Sequence, residues 1–138
     1  MANEYRILIT GASSGFGKLT AESLAREGHR VFAGMRDPEG RNAGSRAELM
    51  AKGGSLEVVD LDVTNDASVE KAVAWVEQQA GGLDVVINNA GIAGMGLTES
   101  FTPEQARAMF EVNVVGVQRV NRAALPLMRR QGKNGPWF

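Results

Sequence analysis

Four short β-prone runs, each followed by a stretch of helical periodicity, constrain this chain more than any other feature. The runs are Tyr5–Thr10, Arg30–Met35, Ser55–Asp60 and Leu83–Ile87, the last predicted as a buried fourth strand. The first helical stretch runs from about Gly15 to Glu27, marked by Leu19 and Leu24, and the second from Ser45 to Lys52, marked by Ala47, Leu49 and Met50. The third follows an N-cap signal at Thr64-Asn65-Asp66 and shows Val69, Val73 and Val76 on one face. The last opens with Thr102 as cap and Pro103 at the first helical position. Its predicted packing face is Ala106, Phe110, Val114, Val117, Asn121, Ala124 and Met128. A βαβαβαβα order predicts a parallel sheet with right-handed crossovers. The expected strand order is 3-2-1-4, with ligands bound at the carboxyl ends of strands 1 and 4, where the winding reverses.

The chain has 138 residues, read as one domain over 1–138. Its net charge of −1, from 15 Lys+Arg against 16 Asp+Glu, argues against a nucleic-acid or membrane-surface binder. No cysteine occurs and His29 is the single histidine, so thiol chemistry is excluded and no metal site is expected. Nowhere do 18 apolar residues run together, and Met1–Arg6 has no apolar signal core, which gives a cytoplasmic reading. Met35, Met95, Met109 and Met128 read as packing groups. The cationic run Arg119, Arg122, Arg129, Arg130 and Lys133 reads as a solvated helix face.

Between the first strand and the first helix lies Thr10-Gly11-Ala12-Ser13-Ser14-Gly15-Phe16-Gly17. Gly11 suits a tight turn off the strand, Gly15 lets backbone N–H groups approach a pyrophosphate, and Gly17 lets the helix pack against the sheet. A Walker A loop ending at Lys18 fails twice, at Ala12 and Leu19. The G-x-G-x-x-G spacing fails at Thr20. What remains is T-G-x-x-x-G-x-G, a weak signal by itself, with a merely structural turn as the lesser alternative.

Taken with Asp62-Val63 after strand 3, Asn88-Asn89-Ala90-Gly91 after strand 4 and Asn113-Val114-Val115-Gly116 in the long helix, that loop resembles the short-chain dehydrogenase/reductase family. The resemblance covers essentially the whole chain but only the first half or slightly more of a family member. It implies a Rossmann-type doubly wound α/β sheet, cut after four βα units. It implies that Gly11, Ser13, Ser14, Gly15 and Phe16 line the pyrophosphate and adenosine ribose of a nicotinamide cofactor. It places Asp62 on the adenine amino group with a backbone contact from Val63. Asn89, Ala90 and Gly91 would lie along the ribose, with Ile92 near the nicotinamide and Asn88 bracing the sheet ends. The structural alternatives are a helix-capping or loop role for Asp62 and a solvated loop charge for Arg36.

An NAD-preferring site ends strand 2 in an acid that binds the ribose hydroxyls. By the family pattern that position is Met35, followed by Arg36, whose guanidinium can pair with a 2′-phosphate. NADP(H) is therefore expected in preference to NADH. A one-residue shift would instead put Asp37 in the pocket.

Family chemistry moves a hydride between nicotinamide and an alcohol or carbonyl carbon. It uses a serine, a tyrosine with a lysine four residues on, and an asparagine that holds a water of the proton relay. Asn113 matches the asparagine, the one expected catalytic residue here. The only tyrosine is Tyr5, and none of Lys18, Lys52, Lys71 or Lys133 follows it by four. The expectation is a truncated or frame-shifted member, inactive by itself, whose parent acts on a small alcohol or carbonyl compound. The alternatives are a non-catalytic NADP(H)-binding or interaction module and a fragment with no function of its own. An exposed apolar strand 4 predicts homo-oligomerisation or aggregation.

Overall fold

The computed structural model describes residues 3–132. Lys133 and positions 134–138 lie outside the described residues. Four parallel strands, β1 (Arg6–Ile9), β2 (Arg30–Met35), β3 (Leu56–Asp60) and β4 (Val85–Ile87), stand in the order β3-β2-β1-β4. The sheet therefore has the Rossmann arrangement read from the strand–helix alternation.

The pleat sends successive side chains to opposite faces, and both faces are covered. Ile7, Ile9, Val31, Ala33 and Met35 pack under α1 (Gly15–Arg26) and α2 (Ala43–Ala51). Leu8 and Phe32 pack on the other face against Val69, Val73 and Val76 of α3 (Asp66–Ala80). Val120, Ala124 and Leu127 of α5 (Gly116–Arg130) complete that layer. Trp75 meets Phe32 edge-on at 5.9 Å between ring centroids.

Four expectations about packing need correction. Helix α1 buries small residues, Gly17, Ala21 and Ala25, and leaves Leu19 exposed, because it lies close on the sheet. The long helix is broken into α4 (Pro103–Phe110) and α5 by a π-helical turn over Glu111–Val115. One extra residue in a turn rotates everything after it by about 100°. No single periodic face survives that rotation: Phe110 and Val114 are exposed, while Gly116, Val120, Ala124 and Leu127 are buried. Met95 packs against nothing and is 98% exposed in the loop after β4. Strand β4 itself is half-buried rather than buried, since β1 is its only neighbour among the described residues.

The capping signals act as expected. Asn65 accepts from the Ser68 amide at 2.9 Å. Thr102 and Gln105 form a reciprocal capping box at the start of α4. Pro126 lies inside α5 without ending it. The cationic run is not uniformly solvated: Arg119 pairs with Asp66 and Glu111, and Arg130 with Glu77.

The amino end of the sheet is closed by a polar clasp. Arg6 makes two 2.7 Å bonds to the Asp84 carboxylate and a 3.2 Å bond to Gln131 Oε1. Gln131 in turn bonds the Leu83 amide and carbonyl. Tyr5 sits at this same end, 5.4 Å from His29 between ring centroids.

Candidate cofactor site

A cleft of about 390 Å³ opens at the carboxyl ends of the strands. Every residue expected on the cofactor lines it except Gly15. Asn113 does not line it, although its neighbour Val112 does.

The floor is built where β1 and β4 stop. Gly11 turns off β1 with φ +68°, and a Cβ there would sit 2.7 Å from Ala90 Cα. Gly17 lies so close that a Cβ would overlap Asn89 Nδ2 and the Gly11 carbonyl oxygen. Asn89 spends its side-chain amide here, donating to the Thr10 and Gly11 carbonyls, both at 3.0 Å. The buried Thr10 hydroxyl oxygen accepts from the Asn89 and Ala90 amides at 3.1 and 3.0 Å. Asn88 bonds Asn121 at 3.1 Å and so ties the end of β4 to α5. No side chain caps α1, which leaves its first-turn N–H groups for an anion. The uncapped start of α1 suits an anion such as a pyrophosphate, while Gly11 and Gly17 are needed for the close packing of the loop on Ala90 and Asn89.

The loops after β2 and β3 supply another wall of the cleft. Asp62 accepts from the Thr64 amide at 2.9 Å and the Thr64 hydroxyl at 2.7 Å. Burial pushes its carboxyl up, but these bonds, with the charges of Arg36 and Arg119, outweigh burial and hold it below the usual range. Both bonds use Oδ1, so Asp62 remains an ionised acceptor beside the cleft. Arg36 and Met35 both line the cleft, whereas Asp37 does not.

Asn113 stands in the π turn. Its amide group donates to the Ile92 carbonyl at 2.8 Å, and its Oδ1 accepts from the Ile92 amide at 2.9 Å. Side chain and loop are thereby pinned together, with both polar ends of the Asn113 side chain engaged.

Reading by residue type missed Arg41, Asn42 and Thr64, which also line the cleft. A turn signal in the sequence after β2, Asp37-Pro38-Glu39-Gly40, points to the first two, because a turn returns the chain to where it left. Among the described residues, no three His, Asp or Glu side chains could hold a metal, and no helix is long and apolar enough to cross a membrane.

Known proteins share this arrangement. The chain is 42% identical over 129 residues to a 3-ketodihydrosphingosine reductase of Bacteroides thetaiotaomicron, a match covering 92% of this chain and 44% of that protein. An NADPH-bound carbonyl reductase from chicken fatty liver superposes with a TM-score of 0.82 at 31% identity, covering 91% of this chain and 52% of that one. A 3-ketoacyl-(acyl-carrier-protein) reductase of Brucella melitensis, complexed with NADH, gives a TM-score of 0.83 at 31% identity over 93% of this chain and 52% of its own. The chain thus spans about half the length of the relatives it matches. Residues 5–136 match the family described as short chain dehydrogenase. With the parallel sheet, the glycine loop and the cleft at the switch point all agreeing, the chain belongs to the short-chain dehydrogenase family.

Proposed function

We propose that these residues form the NADP(H)-binding part of an oxidoreductase that interconverts an alcohol and a ketone or aldehyde. The observation that carries the cofactor choice is the end of β2. Two guanidiniums, Arg36 and Arg41, line the cleft where an NAD-preferring site would present an acid. A bound nicotinamide supplies or accepts the hydride. The chain's residues position it: the Thr10–Gly17 loop takes the pyrophosphate, Asp62 accepts from the adenine amino group, and Ala90 and Gly91 lie along the ribose. Asn113 fixes Ile92 near the nicotinamide.

Proton transfer needs groups these residues do not supply. Tyr5 stands at the opposite end of the sheet, and no Tyr-x-x-x-Lys occurs in the sequence. The 138-residue chain is accordingly proposed to bind cofactor without turnover, since a positioned acid/base is commonly worth about 10²–10⁴-fold. The same observation favours a second reading, a non-catalytic NADP(H)-binding module.

Calorimetric titration with NADPH and NADH in parallel tests the cofactor choice. NADPH is expected to bind about tenfold or more tightly, and R36Q to remove most of that margin with NADH unaffected. Equal affinities would overturn the NADP(H) reading. Steady-state NADPH oxidation above the protein-free blank with a panel of carbonyl compounds would overturn the non-turnover reading.

A further inference from the structure

The segment after β2 holds the one non-glycine residue with positive φ among the described residues, Asp37 at +48°. Left-handed backbone disfavours side chains, though Asp and Asn tolerate it best. Here it reverses the chain and turns the acid into its own loop. Asp37 Oδ2 accepts from the Arg41 amide at 2.8 Å. The Asp37 carbonyl accepts from the Gly40 and Asn42 amides at 3.3 and 3.0 Å. The Asp37 amide donates to Asp60 Oδ1 at 3.2 Å, anchoring the loop to the end of β3. The Asn42 side chain donates to the Arg36 carbonyl at 2.5 Å and closes the ring. Gly40 has no room for a Cβ, which would lie 2.6 Å from both Asp37 carboxylate oxygens.

The outcome is a sorting of charge. Arg36, Arg41 and Asn42 line the cleft, and Asp37 does not. Neither guanidinium has an ion-pair partner within 4.0 Å among the described residues, while several other arginines of the chain do. We propose that Asp37 is a positioning residue for cofactor choice, folding residues 36–42 into a clasp that presents Arg36 and Arg41 together to a phosphomonoester. Resting on the NADP(H) reading above, the ligand group is the ribose 2′-phosphate. Asp37 thus favours a dianion that its own charge, taken alone, would repel.

That opposition of sign makes the proposal testable. An acid that merely repels phosphate improves NADPH binding when removed; an acid that folds the clasp weakens it. Wild type, D37A, D37N and R41Q are titrated with NADPH and NADH, with far-UV circular dichroism as the control for folding. The expected results are about a tenfold loss of NADPH affinity in D37A and in R41Q with NADH affinity unchanged. D37N keeps an acceptor for the Arg41 amide and tolerates the left-handed backbone, so it stays within about threefold of wild type. If D37A does not fold, G40A takes its place, with the same expected loss. Unchanged or tighter NADPH binding in D37A or its substitute overturns the proposal, as does R41Q with an unchanged NADPH-to-NADH ratio. A wild-type chain that fails to bind NADPH saturably, or does not prefer it to NADH, overturns the underlying reading and the proposal with it. A wild-type preference that D37A leaves intact overturns the clasp alone.

Discussion

A single oxygen atom, Thr10 Oγ1, accepts from two part-buried backbone donors at the junction of β1, β4 and the glycine loop. Removing it strands the Ala90 amide, at about 1–3 kcal/mol when left unpaired, while the Asn89 amide keeps the Ile87 carbonyl at 3.0 Å. T10V, nearly the same shape, is expected to destabilise the fold by about 1–3 kcal/mol by urea unfolding. T10S keeps the oxygen and should lose about 1 kcal/mol or less. At this scale the sequence was legible in kind but not in partnership. Asn89 was read as a ribose neighbour, and the structure spends its side-chain amide on the loop carbonyls. Thr10 ends a strand run and opens the glycine loop in the sequence, but nothing there assigns its hydroxyl to the Asn89 and Ala90 amides. Residue type says what a group can donate or accept; only the fold says from whom.

Helix starts and strand positions were legible because their causes are local: Asn65 and Thr102 cap from within three residues. The π turn was not, since its cause is tertiary. Asn113 holds Ile92 across the loop by both side-chain polar atoms, and the turn sets the phase of everything after it. Phe110 and Val114 share a helical face on paper and point away from the core in the fold. N113A should therefore act locally. Amide hydrogen exchange over residues 91–97 is expected to quicken by tenfold or more, with the two lost bonds worth about 1 kcal/mol each, while protection in β1 and β2 is retained. Equal quickening across the sheet would show instead that Asn113 supports the whole fold.

On the scale of the molecule, strand order followed from the alternation of elements, but the pairs that close the sheet did not, since no local pattern announces them. Arg6 and Asp84 are 78 positions apart, and Arg6 and Gln131 are 125 apart. Their side chains are mostly covered, 20% exposed for Arg6 and 9% for Asp84. Asp84 raises the affinity of the Arg6 guanidinium for its proton, chiefly through their hydrogen bonds. D84N leaves a mostly covered arginine short of its counter-charge and is expected to lower stability by about 2 kcal/mol, read as a fall in urea midpoint at constant slope.

The same clasp sets a clock on synthesis. Strand β1 lies in the middle of the sheet, yet its β4 neighbour is made long after it. At roughly 5–20 residues per second, Arg6 waits about 4–16 s after leaving the peptidyl-transfer centre before Asp84 exists to meet it. Through that interval Ile7, Leu8 and Ile9 have β2 on one side and an open edge on the other. Until β4 is made, the nascent chain carries an open edge at the very strand that leads into the glycine loop.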